Sequence, residues 1–242
     1  MTFGSLFSGI GGMDLGLERA GMECRWQVEI KPFCRAVLAK HWPHVKRYED
    51  VCCCSGRELE SVDVIAGGFP CQDVSFAGKG AGLSGDRSGL WAEMRRIVCE
   101  LRPRFVIVEN VAALLERGMG RVLADLAESG YDAEWDCLPA SAFGAYHERD
   151  RLFIVAHAAG VDRAARHYLG ASSPRRSQIQ LGRLYRMAVA AAAEQENGLL
   201  ESEPGVDRMV SRTPAGMDRL EGLGNAVDPR VAEWIGRRLI NA

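Results

Sequence analysis

Cys71 lies in Gly67-Gly68-Phe69-Pro70-Cys71-Gln72, directly after the apolar run Asp63 to Ala66, where two glycines and a proline end a short strand. A thiol at a strand end can meet a substrate, although a cysteine in a turn is by itself more often a small buried hydrophobe. Two further strand ends supply partners. Glu109 follows the apolar Phe105 to Val108, and partial burial there would raise its pKa and let it donate a proton. Arg149 and Arg151 stand two apart on a segment that the pattern predicts as extended, which puts them on one face; a structural salt bridge is the alternative use for them. A thiol, a protonatable acid and a fixed guanidinium together suit covalent activation of a heteroaromatic ring.

The elements that would position these groups alternate. Strands are predicted at Thr2 to Phe7, Glu23 to Glu29, Asp63 to Ala66, Phe105 to Val108 and Leu152 to Ala156. Helices are predicted over Met13 to Ala20, from Pro32 with Phe33, Val37 and His41 on one face, along the stripe Leu90, Met94, Ile97, Val98 and Leu101, and around Val122, Leu123 and Leu126. This order implies an α/β fold, a Rossmann-like, mainly parallel sheet with helices on both faces. From about Ala158 to Arg212 strong strand signals stop, which predicts a small second lobe with an alanine-rich helix over Met187 to Ala193. Asp228 as cap and Pro229 in the first turn then open a last helix with Val231, Ile235 and Leu239 at fourfold spacing.

In an open parallel sheet, ligands bind beyond the carboxyl ends of the strands. After the first strand comes Phe7-Ser8-Gly9-Ile10-Gly11-Gly12, where close glycines let a ligand approach the backbone, though the spacing is not the GxGxxG of a dinucleotide fingerprint. Glu29 closes the second strand, where a carboxylate can accept from ribose hydroxyls, and Asp50 follows at the next turn; either could instead be a surface residue or a helix cap.

Composition sets the outer limits. With 242 residues, 47% hydrophobic and 26% charged, the chain is globular with a sizeable core. It shows no apolar run of about 18 residues and no leader pattern, so a soluble, cytoplasmic protein without a membrane partner is expected. Eight cysteines without paired CxxC spacing support neither a disulfide framework nor a zinc site, and no metal is assigned to the Cys52-Cys53-Cys54 triplet because adjacent side chains diverge. A net charge of −2 neither marks nor excludes a nucleic-acid binder. Arg163, Arg166, Arg175, Arg176, Arg183 and Arg186 against the single acid Asp162 make one stretch basic, either a solvated surface or a contact for phosphates.

The motifs at the strand ends, together with Gly224-Asn225-Ala226-Val227, stand in an order that resembles the DNA cytosine-5 methyltransferases of bacteria and phages. The resemblance spans residues 2 to 157 and about 215 to 242. It implies a catalytic and cofactor-binding domain over 1–157, a short target-recognition region over 158–212 and a C-terminal segment, 213–242, returning to the first domain. By similarity, Cys71 attacks carbon 6 of a cytosine flipped out of duplex DNA, Glu109 donates to ring nitrogen 3, and Arg149 and Arg151 complete the catalytic group, with Arg151 on the exocyclic oxygen. Carbon 5 then takes the methyl group of S-adenosyl-L-methionine.

The resemblance likewise places Phe7, Gly9, Ile10, Gly11 and Gly12 around the methionine and ribose of that cofactor. Glu29 would bind ribose, Ile30 would pack on adenine and Asp50 would take the adenine amino group. Val51, Gly68, Pro70, Leu90, Asn225 and Val227 would complete the pocket. The Gly78 to Gly89 segment resembles the loop that closes over DNA, with Gln72, Ser75 and Arg87 as contacts. The family usually carries Gln where this chain has His147, and Ala158 to Arg212 shows no target-recognition signature. A cognate restriction endonuclease would be the partner in such a system. An RNA cytosine methyltransferase, a catalytically inactive nucleic-acid binder and a nicotinamide oxidoreductase are the competing readings.

Overall fold

The computed structural model describes residues 1–70, 89–159, 168–169 and 225–242. Its strands are β1 (Thr2–Leu6), β2 (Glu23–Val28), β3 (Lys46–Tyr48), β4 (Val64–Gly67), β5 (Phe105–Val111), β6 (Tyr131–Pro139) and β7 (Asp150–Ala158). They form one sheet in the order β3-β2-β1-β4-β5-β7-β6. The pairs from β3 to β5 are parallel, whereas β7 runs antiparallel to both β5 and β6. The mainly parallel sheet expected from the alternation is therefore present, with one reversed strand that the sequence pattern does not announce.

Alternation along the central strands sends side chains to two cores. Val64, Ala66, Phe105 and Ile107 join one, and Ile65, Val106 and Val108 join the other. The helices that cover these faces are amphipathic. On the second face lie α3 (Gly89–Leu101), through Trp91, Met94, Ile97 and Val98, and α5 (Met119–Glu128), through Val122 and Leu126. On the first lie α1 (Gly12–Arg19) and the C-terminal helix α6 (Pro229–Ile240), which buries Val231, Ile235 and Leu239 as their spacing predicts. The remaining helices are α2 (Pro32–His41) and the short α4 (Leu114–Arg117). Among the described residues no helix is long and apolar enough to cross a membrane.

Three local expectations need correction. In α2 the buried stripe is Cys34 and Leu38, continued by Trp42, while His41 is exposed. The helix is rotated from the Phe33, Val37 and His41 face because Trp42 and Leu38 close over Gly11, where a Cβ would lie 2.5 Å from the indole. Secondly, β5 continues through Glu109, Asn110 and Val111, because β7 pairs with it as far as Val111 opposite Arg151. Thirdly, β3 and β6 carry no strand signal. Both are sheet edges, and the charged residues Lys46 and Arg47, and Asp132, Glu134 and Asp136, hide them from an apolar pattern while suiting an edge. The predicted second lobe, its arginines and its alanine-rich helix lie outside the described residues apart from the chain at 158–159 and 168–169.

Helices α1 and α6 meet along small residues. A Cβ at Gly16 would stand 2.3 Å from the Pro229 carbonyl oxygen and 2.5 Å from the Ala232 Cβ, and one at Gly236 2.8 Å from the Ala20 Cβ. Gly16→Val is therefore expected to destabilise the protein by about 1–3 kcal/mol in denaturant unfolding. Gly120→Ala, in α5 with open space around it, is expected to leave stability unchanged or raise it by up to about 1 kcal/mol. Equal effects of the two substitutions would contradict the packed seam.

Candidate active site

The sheet changes winding direction at β1, which pairs with β2 on one side and β4 on the other. A crevice opens where connections leave such a point in opposite directions. Leu6 and Gly67, paired as the last residues of β1 and β4, sit at its floor, in a cavity of about 360 Å³.

One end of the cavity is built on the turn after β1. Phe7, Gly9 and Gly11 have φ values of 56°, 57° and 86°. Left-handed backbone at Phe7 is uncommon for a bulky residue. The turn is held by Ser8, whose backbone N–H donates to the Val28 carbonyl (3.1 Å), and by the Gly11 N–H, which donates to the Ser8 carbonyl (2.9 Å). This winding brings the Gly9 N–H to Glu29 Oε2 at 2.7 Å, while the Lys31 N–H donates to Oε1 at 2.8 Å. The Glu29 carboxylate is thus fixed and nearly buried at the end of β2, with acceptor capacity remaining toward the cavity that it lines. Beside it, Ile30 exposes 65% of its surface, an apolar plate on the cavity wall.

Asp50 also lines the cavity, and its Oδ1 accepts from the Cys52 N–H at 2.9 Å, capping the 3-10 turn Val51–Cys53. The sequence left cap and ligand contact as alternatives for this residue; the structure places it where it serves as the first and faces the space of the second. In the adjoining triplet Cys54 is buried and donates to the Asp50 carbonyl, while Cys52 and Cys53 are exposed. No cluster of three or more metal-binding side chains occurs among the described residues.

The other end is built on β5 and β7. In the antiparallel ladder Glu109 is opposite Phe153 and Val111 opposite Arg151, which makes Glu109 and Arg151 diagonal neighbours on one face. Arg151 Nε reaches Glu109 Oε1 at 3.1 Å. Burial pushes the Glu109 carboxyl up to about 7, against the opposing pull of Arg151 and then Arg149. The extended segment expected to put the two arginines on one face does not reach Arg149: β7 begins at Asp150, and Arg149 has φ 38°. Arg149 stands on left-handed backbone just before the strand, and its charge also acts on Glu109.

Between the two ends runs the segment that leads to Cys71. A Cβ at Gly68 would lie 2.6 Å from Glu109 Oε2, so any larger residue here would displace the carboxylate. Asn110 adds a tie that the sequence reading assigned to no residue: its Nδ2 donates to the Phe69 carbonyl at 3.1 Å and its Oδ1 accepts from the Val111 N–H at 2.9 Å. The sequence shows only a polar amide at the end of an apolar run, and its burial explains why both ends of that amide are bonded.

Of the residues expected around a cofactor, Phe7, Gly9, Gly12, Glu29, Ile30, Asp50, Val51, Gly68, Pro70, Leu90, Asn225 and Val227 line this cavity, together with Glu109 and Arg151. Ile10 and Gly11 are not in its lining; Gly11 faces Trp42 and Leu38 instead. Cys71, Gln72, Ser75, Arg87 and the rest of the Gly78 to Gly89 segment before Gly89 lie outside the described residues.

Comparisons with known proteins agree on one kind of protein. The family model for C-5 cytosine-specific DNA methylase matches residues 1–201. The Type II methyltransferase M2.BsuMI of Bacillus subtilis is 38% identical over 160 residues, covering 63% of this chain and 41% of the relative. M1.HphI of Haemophilus parahaemolyticus, also a Type II methyltransferase, is 35% identical, covering 64% and 45%. The matched part of this chain thus spans less than half the length of these relatives. A prophage-encoded protein of E. coli, solved as a candidate DNA modification methyltransferase, superposes with a TM-score of 0.56 at 28% identity over 65% of this chain and 47% of that one. The S. pombe Dnmt2 methyltransferase, 18% identical with a TM-score of 0.54 over 65% of this chain and 51% of its own, shares the fold.

A group protonated at higher pH when folded than when unfolded adds stability as pH falls through its folded pKa. Glu109 titrates at about 7 folded, against 4.5 as its ordinary value. The melting temperature of the native sequence minus that of Glu109→Gln is therefore expected to rise as pH drops from 8 toward 5. A flat difference across that range, read by calorimetry, would mean that Glu109 is ionised throughout.

Proposed function

The chain belongs to the C-5 cytosine-specific DNA methylase family, and from that membership we propose that it transfers a methyl group from S-adenosyl-L-methionine to carbon 5 of a cytosine flipped from duplex DNA, through a covalent adduct with Cys71. One observation carries the reading: a single cavity joins the Glu29, Ile30 and Asp50 end to the Glu109 and Arg151 end, and Pro70, the residue before Cys71, lies on its wall.

The residues of the first end fit the methyl donor. Glu29 offers acceptors to a ribose diol, Ile30 an apolar plate to an adenine ring and Asp50 an acceptor to its amino group, while the glycines of the first turn admit the methionine portion. When bound, the cofactor supplies an electrophilic methyl group. At the second end the protein activates the acceptor. The Cys71 thiolate adds to carbon 6, and Glu109, protonated near neutral pH because of its burial, donates to ring nitrogen 3 as electrons move onto the ring. Arg151, paired with Glu109 across the ladder, would donate to the neighbouring exocyclic oxygen. Carbon 5, now enamine-like, takes the methyl group. Loss of the carbon 5 proton to solvent, departure of the thiolate and return of the nitrogen 3 proton to Glu109 then restore the ring and the acid.

The relatives' names place them in Type II systems; by extension, double-stranded DNA is the partner of this chain, and an endonuclease cutting the same sequence is its functional counterpart. Labelled S-adenosylmethionine incubated with mixed-sequence duplex DNA is expected to give 5-methylcytosine in one sequence context by base-resolution mapping. Label incorporated into tRNA and not into DNA would overturn the substrate. Cys71→Ala is expected to abolish the adduct with 5-fluorocytosine DNA while retaining cofactor binding; an adduct that survives would refute the nucleophile. Glu29→Ala is expected to weaken cofactor binding by roughly ten- to a hundredfold in calorimetric titration, as for loss of a buried charged hydrogen-bond acceptor.

A further inference from the structure

Asp228 is used by no step above, yet it is central to a cluster of charges beside the site. Its side chain is 6% exposed. It caps α6 by accepting from the Arg230 N–H at 3.0 Å, and both its oxygens take the Arg230 guanidinium, Oδ1 from Nε at 3.0 Å and Oδ2 from Nη2 at 2.9 Å. His147 Nε2 is 3.8 Å from Oδ2. Arg230 turns its remaining Nη1 to the Gly144 carbonyl. The charge of Asp228 also acts on Arg149, favouring its cationic form alongside Glu109 and against burial and Arg151.

These contacts fall on the segment 144–149, which connects the 3-10 turn Ala140–Phe143 to β7 and carries Arg149 at its end. Phe143 and Trp234 of α6 hold the start of the same segment, with ring centroids 5.4 Å apart. On its other side the Asp228 segment is seated against the first end of the cavity. Asn225, Ala226 and Val227 line it, and a Cβ on Gly12 would stand 2.2 Å from the Val227 carbonyl oxygen. One short stretch of chain therefore touches both the wall near Gly12 and the loop leading to the two arginines.

We propose that Asp228 is a positioning residue for the base end of the site: through Arg230 and His147 it clamps the 144–149 loop to α6 and so fixes the chain that carries Arg149 into β7 and Arg151 onto the cavity wall. The proposal rests on the reaction assigned above. Its chemistry is electrostatic and hydrogen-bonded, with no group transferred. Loop placement matters because small errors in the position of reacting groups are costly in rate.

Asp228→Asn in the full chain separates the clamp from the cap, since asparagine caps a helix nearly as well as aspartate but carries no charge. Methyl transfer to duplex DNA is expected to fall in kcat by roughly ten- to a hundredfold, with cofactor affinity within about twofold of the native value. Hydrogen exchange of peptides spanning 144–149 is expected to quicken severalfold, on the order of 1 kcal/mol of lost protection, while α6 exchanges as before. Arg230→Gln, which leaves the Asp228 cap in place, is expected to reproduce this pattern and serves if Asp228→Asn fails to fold. Unchanged loop exchange would overturn the clamp. Faster exchange with unchanged kcat would overturn the positioning role. A native protein that methylates no nucleic acid would instead refute the assigned reaction, with the exchange measurement still deciding the clamp.

Discussion

The site depends on a carboxyl group kept out of water at the end of a buried strand. Glu109 would be a costly group to place there if it had to stay ionised, and burial answers by moving its titration to about 7. Arg151 limits that movement without reversing it, because burial outweighs the attraction of the guanidinium. The neighbouring structure respects this compromise. Gly68 leaves the carboxylate its space, Asn110 ties the passing Phe69 backbone to β5, and the ladder between β5 and β7 fixes the distance to the arginine.

The opposite end of the cavity works by backbone rather than by titration. Left-handed φ angles at Phe7, Gly9 and Gly11 coil the turn after β1 so that an N–H meets the Glu29 carboxylate from below. Bulky Phe7 holds such a conformation at a cost of order 1–3 kcal/mol, which the surrounding hydrogen bonds of Ser8 and Gly11 offset. Strain at a ligand-facing turn and a depleted charge at a strand end are two ways of preparing a cavity before anything enters it.

Much of this was legible in the sequence because the informative groups sit on strongly patterned elements. Val64 to Ala66 and Phe105 to Val108 are apolar without interruption, so their ends, and hence Glu109 and the Pro70 turn, could be located by hydrophobicity alone. Less legible were features set by tertiary packing. The orientation of α2 is decided by Trp42 closing over Gly11, outside the helix itself. The edge strands β3 and β6 are too polar to read, and the direction of β7 is not encoded in any local period. The Asp228 cap was readable, but the guanidinium and imidazole that gather on it, like the Phe69 carbonyl that Asn110 reaches, are knowable only once β4, β5 and α6 are placed.

Because β7 runs against its neighbours, it serves the cavity from its beginning, while the parallel strands serve it from their ends. Arg151 lies beside Val111 at the cavity, whereas His157 lies beside Phe105 at the far side. Strand β7 runs nine residues from Asp150 to Ala158, a rise of roughly 27 Å. The polypeptide therefore leaves the sheet at the pole remote from the chemistry, and by Asn225 it is back on the cavity wall. Sequence inserted just after β7 enters the protein far from Glu109 and Arg151, whereas sequence inserted just before Asn225 enters at the cavity wall, so the two insertion points face unequal constraints on length and change.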